Sequence, residues 1–354
     1  MVTDHLGWNL SKAERLIVVG THEVLGNSAN FADFPSSPNT LYELTKVPKD
    51  RLLEAIAAGD VHPDMLGSDA SALARRAKAR DAASERMAPD PGVVDSPPPG
   101  FEIRCANAAQ SRSYKNVIAD LAVFSPPYFV GVDYDGADDT MSREEWAELL
   151  RSAAGHLVDI AGVARIVVNF PMGVDRRPYT PLLPVVLAAL GDVAAPEAVI
   201  VWDKATTGNR TSWGSWRSPT DPAIRDRTEL IAVFRTENQV RCPQAALELD
   251  EGGRRVSPWL SAGRFTELTQ DLWTFAPARR DGSHPTPFPV ELPRRVLQLY
   301  GWPGCTVVDP FAGSGTTGVA ALGLGANAVL IDVSAAYCQV AGRRLQAAET
   351  GAVA

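Results

Sequence analysis

The sequence predicts an α/β fold with a mostly parallel sheet, on three observations. From residue 101 onward, short apolar runs alternate with helical patterns, the order expected when helices cover both faces of a sheet. One run, Thr306-Val307-Val308, leads into a turn with two glycines and then a helical stretch from Thr317 to Leu324. The next run, Ala328-Val329-Leu330-Ile331, ends in Asp332. Strand, glycine turn, helix, strand and carboxylate together suit a nucleoside held at the carboxyl edge of an open sheet, with the acidic group on ribose hydroxyls. The turn also leaves main-chain N–H groups at a helix N-terminus, open to a ligand. It is not a phosphate-binding P-loop, because no Lys follows the last glycine.

Residues 1–88 read as a small helical segment. Ser11 is placed to cap a helix with Glu14 at its third position. The run from Asp33 to Pro38 breaks structure, a short helix starts at Thr40 and ends before Val47-Pro48, and a second runs from Asp50 to Ala58 until Gly59. Two short helices around a tight turn fit a helix-turn-helix that enters a DNA groove, and they equally fit a small bundle used for packing or dimer contacts. Ala70 to Ala88 is rich in Ala, Arg and Lys, and reads as a solvated helix with phosphate contact as the alternative. Residues 89–100 carry five prolines and form a linker. The main domain is then 101–354.

Within that domain, Phe101 to Arg104 is an edge strand, and Leu121-Ala122-Val123-Phe124 is a buried strand followed by Ser125-Pro126-Pro127-Tyr128. Two prolines after a strand fix φ, remove two donors and leave their carbonyls to accept, with an aromatic ring held at the strand's carboxyl edge. The plainer reading is a stiff loop. Ser142 to Val158 is a helix with Ser142 as cap and Glu144 and Glu145 in its first turn. Strands follow at Arg165 to Phe170, Ala198 to Trp202 and Glu229 to Phe234, with a helix from Leu182 to Leu190. The segment from Glu237 to Asp281 has little periodicity.

Composition narrows the function classes. The chain has 354 residues, 45% of them hydrophobic, enough for a sizeable core. It has no apolar run long enough to span a membrane and no basic-then-apolar start. The four cysteines are scattered without a Cys-x-x-Cys, and the five histidines are dispersed, which points to free thiols and no metal site. A net charge of −8 argues against a chain that coats nucleic acid indiscriminately, though not against a local basic cleft.

Asp309-Pro310-Phe311-Ala312-Gly313-Ser314-Gly315-Thr316-Thr317 resembles the cofactor motif of the DNA amino-methyltransferases, and Ser125-Pro126-Pro127-Tyr128, with Asp133-Tyr134 beyond it, resembles their catalytic motif. His284-Pro285-Thr286-Pro287-Phe288-Pro289 is similar to the segment that closes over the methionine end of the cofactor. Trp213-Gly214-Ser215-Trp216, with Arg225-Asp226 and Glu229, is similar to a further family block. Catalytic motif first and cofactor motif last is the permuted β arrangement. The resemblance covers roughly residues 101–345. It implies a Rossmann-like methyltransferase fold with a mostly parallel seven-stranded sheet, one strand antiparallel, and S-adenosylmethionine as cofactor. It implies Asp309, Phe311, Gly313, Ser314, Gly315, Thr316, Thr317, Asp332, His284, Phe288 and Pro289 as cofactor contacts, and double-stranded DNA as substrate. It places target recognition in 236–283. A cytoplasmic enzyme of prokaryotic or phage origin is expected, with a cognate restriction enzyme and a second copy of the chain as further partners. Cys105-Ala106-Asn107-Ala108 departs from the acidic residue that members carry after the first strand.

Lys204, Arg210, Arg217, Arg225, Arg227, Arg235 and Arg241 outnumber the acidic residues of their segment, and Trp213 and Trp216 interleave. Guanidinium groups suit phosphates and guanine edges and tryptophans suit stacking, so this segment is the expected DNA contact. A solvated loop with buried tryptophans is the alternative. The catalytic motif suits methyl transfer to an exocyclic base amine, with Ser125 and the Pro126 carbonyl accepting amine hydrogens and Tyr128 stacked on a flipped base. Ser rather than a carboxylate at position 125 favours cytosine N4 over adenine N6. Transfer to RNA or protein, and a non-catalytic DNA-binding module, are the competing classes. Gly313 and Gly315 are expected to approach the cofactor closely, so that a side chain at 315 blocks binding and spares the fold.

Overall fold

The computed structural model describes residues 10–26, 34–67, 69–71, 73, 74, 77, 97–128, 141–174, 179–205, 215, 217–222, 224, 226–278 and 288–351. They fall into two compact units, one within residues 1–90 and one within 91–354.

The first unit holds α1 (Leu10–Thr21), α2 (Pro38–Leu44) and α3 (Lys49–Ala58). α2 begins two residues before the expected Thr40, because Ser37 caps it by accepting from Thr40 N and Pro38 sits in its first turn. Gly59 ends α3 in the left-handed conformation, φ +80°. Leu25, Leu44, Val47, Leu52, Val61 and Met65 form a separate core. Among the described residues, Lys46 pairs with Glu43, Lys49 with Glu23 and Arg51 with Glu54, while Arg15 donates to Asn39. The Ser11 cap and the basic run 75–80 rest on side chains outside the described residues.

The second unit is an α/β domain around one mixed sheet. Its strands are β1 (Phe101–Cys105), β2 (Leu121–Phe124), β3 (Arg165–Pro171), β4 (Ala195–Asp203), β5 (Thr228–Arg235), β6 (Leu272–Thr274), β7 (Thr306–Asp309) and β8 (Asn327–Asp332). They lie in the order β1-β8-β7-β2-β3-β5-β4-β6. Only β5 runs antiparallel to its neighbours. The expected seven strands are therefore eight. The additional strand, β6, lies within the segment expected to recognise the target and pairs in parallel with β4 through Trp273 and Trp202. Its three residues with one buried side chain leave no alternation to read.

Alternate residues of the inner strands enter opposite cores, the period of two that a pleated strand imposes. Val308, Val329 and Ile331 join α4 (Arg143–Asp159) and α5 (Leu183–Leu190) on one face. Val307, Ala328 and Leu330 join α6 (Ala262–Leu268), α7 (Glu291–Tyr300), α8 (Thr316–Leu322) and α9 (Ala335–Glu349) on the other. Ser142 and Glu145 close a full capping box at the start of α4. Arg295 of α7 is nearly buried, pairs with Glu291 at 2.8 Å and lies over the rings of Phe275 and Trp273. No helix of the described residues is long and apolar enough to cross a membrane.

Because each unit has its own core, a chain beginning at residue 91 should fold. Denaturant unfolding followed by tryptophan fluorescence checks this, the expected result being a single cooperative transition.

Candidate active site

β7 and β2 are parallel neighbours, and the chain leaves them in opposite directions across the sheet, toward β8 from β7 and toward β3 from β2. That is a topological switch point, where a crevice opens at the carboxyl edge. In spatial order along this edge stand Asp332, the turn after Asp309, the loop Ser125–Tyr128 and the end of β3. Two motifs some 180 residues apart in sequence thus become neighbours.

The turn is held from inside. Asp309 is fully buried, accepting from Phe311 N at 3.0 Å and from Thr317 Oγ1 at 2.6 Å. Burial pushes its carboxyl up to about 7, against the pull of those two hydrogen bonds. Asp332 accepts from Gly313 N at 2.7 Å and from Ser334 N at 2.9 Å. Ala312 N donates to Ile331 O and Gly315 N to Ala312 O. The N–H groups of 311, 312, 313 and 315 are thus engaged within the protein, ahead of the first helical residue, Thr316.

Three expected contact residues also face inward. Ser314, Thr316 and Thr317 are buried. Arg344 of α9 donates to Ser314 O at 2.7 Å, to Ser314 Oγ at 2.7 Å and to Thr316 Oγ1 at 3.2 Å. Sequence reasoning misses Arg344, since one Arg in an amphipathic helix carries no local signal of its partner 30 residues earlier. Gly315 needs its glycine for a packing reason. It caps α8 at φ +79°, and a Cβ there would lie 2.7 Å from Ala341 Cβ, so a side chain at this position would meet α9. Gly313 also has positive φ, +50°. Phe311 stays partly exposed beside Phe124, ring centroids 5.5 Å apart. Phe288 and Pro289 are partly exposed, Phe288 packing on the second core, while His284 lies outside the described residues.

The Ser125 loop is braced as firmly. The Trp146 indole of α4, fully buried, donates to the Pro127 carbonyl, so one of the two proline carbonyls expected as acceptors already receives a donor from within the protein. Ser125 Oγ and the Tyr128 hydroxyl are in hydrogen-bond contact, and Tyr128 also donates to Asn169 O at 3.3 Å. Asp133 and Tyr134 lie outside the described residues.

The basic segment divides. Lys204 and Arg227 stand at this same edge, but in ion pairs: Lys204 with Glu229 at 2.5 Å, and Arg227 with both oxygens of Asp203 at 2.7 Å. Arg235 and Arg241 are at the opposite edge, because antiparallel β5 carries the chain away from the site; they meet Glu197 and Asp120. Arg217 is exposed, with φ +53°. Arg210, Trp213, Trp216 and Arg225 lie outside the described residues. Among the described residues, no three His, Cys, Asp or Glu side chains gather as a metal site would need.

This packing has measurable consequences for stability. Gly315→Val should destabilise the fold by roughly 2–5 kcal/mol, from left-handed strain plus the clash with α9, measured by urea unfolding. An unchanged midpoint would contradict the packing role. For Asp309, the folded value lies above the ordinary 3.8. Between about pH 4 and 7 the folded chain keeps a proton that the unfolded chain releases. Its contribution to stability is therefore complete below that window and is lost as pH rises through it. Relative to Asp309→Asn, the wild type should lose a few kcal/mol from pH 4 to pH 7.5 in denaturant titrations.

Comparison with known proteins agrees with this geometry. The N6/N4 family model, described as DNA methylase, matches residues 119–343. The type II methyltransferase M.MjaVI of Methanocaldococcus jannaschii is 29% identical over 164 residues, 45% of this chain and 78% of that protein. The DNA adenine methyltransferase YhdJ of Escherichia coli is 24% identical over 238 residues, 65% of this chain and 76% of that one. Among solved structures, TTHA0409 of Thermus thermophilus, in complex with S-adenosyl-L-methionine, superposes with a TM-score of 0.53 at 24% identity, covering 71% of this chain and 95% of that one. The matched family segment takes in both the Ser125 loop and the Asp309 turn and exceeds half the chain: the protein belongs to the N6/N4 DNA methylase family.

Proposed function

We propose that this protein moves a methyl group from S-adenosylmethionine to the exocyclic amine of a base flipped out of double-stranded DNA, with cytosine N4 as the acceptor. The observation that carries the reading is the adjacency of β7 and β2, which sets the Asp309–Thr317 turn beside Ser125–Tyr128 at one sheet edge. The residues present fit the cofactor. Asp332 ends the strand beside that turn, where its carboxylate would accept from ribose hydroxyls, and Phe311 offers a partly exposed ring as an apolar wall. When bound, S-adenosylmethionine supplies an electrophilic methyl group on a sulfonium.

The chain's own part is to prepare the nucleophile. An exocyclic amine is weakly nucleophilic because its lone pair is delocalised into the ring. Hydrogen bonds from the amine to Ser125 Oγ and the Pro126 carbonyl favour a more tetrahedral nitrogen. Tyr128 stacks on the flipped base. Trp146, by holding the Pro127 carbonyl, keeps the loop from following the base as it moves. Cytosine is favoured because Ser125 is a neutral, weaker acceptor than a carboxylate. Adenine N6 is the second reading, favoured by the likeness to the E. coli adenine enzyme. Segment 236–283 and Arg217 are assigned to the DNA side of the site, and residues 1–88 to a helical accessory module joined through linker 89–100.

Incubation of the protein with duplex DNA and labelled S-adenosylmethionine, followed by nucleoside mass spectrometry, tests the proposal. N4-methylcytosine is the expected product. N6-methyladenine alone would replace the base assignment, and transfer to tRNA or protein but not DNA would remove the substrate assignment. Arg217→Ala should flatten the salt dependence of DNA binding by roughly one unit of slope if it contacts a phosphate. Arg344→Ala should weaken S-adenosylmethionine binding about tenfold by calorimetry, through loss of the order it imposes on Ser314 and Thr316.

A further inference from the structure

Asn169 lies near the carboxyl end of β3 and is only 1% exposed. Its Nδ2 donates to Leu230 O of β5 at 3.2 Å. Its Oδ1 is buried without a hydrogen-bond partner, alone in this among the side-chain polar atoms of the described residues. Leaving a buried acceptor unmatched forfeits its hydration with nothing in return, so its presence calls for a cause.

The position supplies one. β2 and β3 pair in parallel, with Phe124 opposite Val168. One more residue along each strand sets Ser125 opposite Asn169. Leu121, Val123 and Val167 share one core, so by the pleat Ser125 and Asn169 belong to that same sheet face. The Tyr128 hydroxyl, which meets both Ser125 Oγ and Asn169 O, fixes the closeness independently.

In this structure the Ser125 and Tyr128 hydroxyls satisfy each other. For Ser125 Oγ to accept an amine hydrogen, its own hydrogen must point away from the amine, and Tyr128 is engaged with the base. We propose that Asn169 is a positioning residue: on substrate binding its Oδ1 receives the Ser125 hydroxyl hydrogen, which turns the Ser125 lone pairs toward the amine. The inference rests on the amino-methyltransferase reading above. It moves no proton between residues, since an amide oxygen does not act as a base at neutral pH; it exchanges one hydrogen-bond partner of Ser125 for another. It also explains how a neutral Ser does the work of a carboxylate, which has no hydrogen to redirect.

The test is a double-mutant cycle in labelled methyl transfer to duplex DNA, with thermal melts and S-adenosylmethionine affinity measured on each variant. Asn169→Ala should lower kcat about 10- to 100-fold and leave cofactor affinity near wild type. The double variant Ser125→Ala/Asn169→Ala should be no slower than Ser125→Ala, because Asn169 acts through that hydroxyl. Asn169→Leu, which fills the same space, should behave as Asn169→Ala and serves if the latter does not fold. Losses that multiply, or a folded variant whose kcat lies within twofold of wild type while its melting temperature falls, overturn the assignment and leave Asn169 a structural cap of Leu230. A wild-type chain that methylates no DNA removes the underlying reading instead.

Discussion

The carboxylate of Asp309 is the constraint on which the site depends. It sits at the end of a central strand with no exposure, and it ties the start of the turn, Phe311 N, to the first helical turn beyond, Thr317 Oγ1. A buried carboxylate is costly to keep ionised, and its raised pKa records that cost. What it secures is a backbone path that brings Gly313 N to Asp332 and leaves Phe311 at the crevice. A neutral apolar residue at 309 would satisfy the core and release the turn.

The second half of the site is fixed by the same device in another form. Trp146 comes from α4, the crossover between β2 and β3, and returns to hold the Pro127 carbonyl of the loop that precedes it. The two prolines already limit the loop's backbone. The indole then removes the remaining freedom at its middle. Loop and turn are therefore both pinned from the side facing the core, and among the described residues of the two motifs Phe311, Asp332, Ser125 and Tyr128 stay partly exposed. A short set of polar groups among apolar walls is the usual composition of a small-molecule site.

Much of this is legible in the sequence, for identifiable reasons. Strands β2, β7 and β8 are readable because a strand buried on both faces is a continuous apolar run, and Gly59 and Ser142 mark their helix ends by local chemistry. Where reading fails, the determinant is a partner distant in sequence. The place of Gly315 in a turn is visible in the sequence, whereas the approach of Ala341 is not. The hydrogen bonds of Thr316 and Thr317 inside the protein are not visible, because nothing near them in the chain shows that Arg344 and Asp309 engage them. β6 is invisible because three residues carry no period, and it exists through the stacking of Trp202 on Phe275 and the pairing of Trp273 beside Trp202.

The basic segment shows the same limit at larger scale. A count of Arg and Lys between 204 and 241 treats them as one patch, but β5 crosses the whole sheet within that span. Reversal of a single strand sends Arg235 and Arg241 to the amino edge and keeps Lys204 and Arg227 at the carboxyl edge. Those two are then drawn into pairs with Glu229 and Asp203, which fasten the facing ends of β4 and β5. These pairs act through geometry: they set where the chain leaves and rejoins the sheet on either side of the segment that carries Trp213, Trp216 and Arg217. Lys204 and Arg227, with their charges already matched, add little net positive potential to this edge. Among the described residues between those two anchors, Arg217 is the exposed cation, and the attraction of this connection for a polyanion therefore turns on it and on its neighbours in the chain.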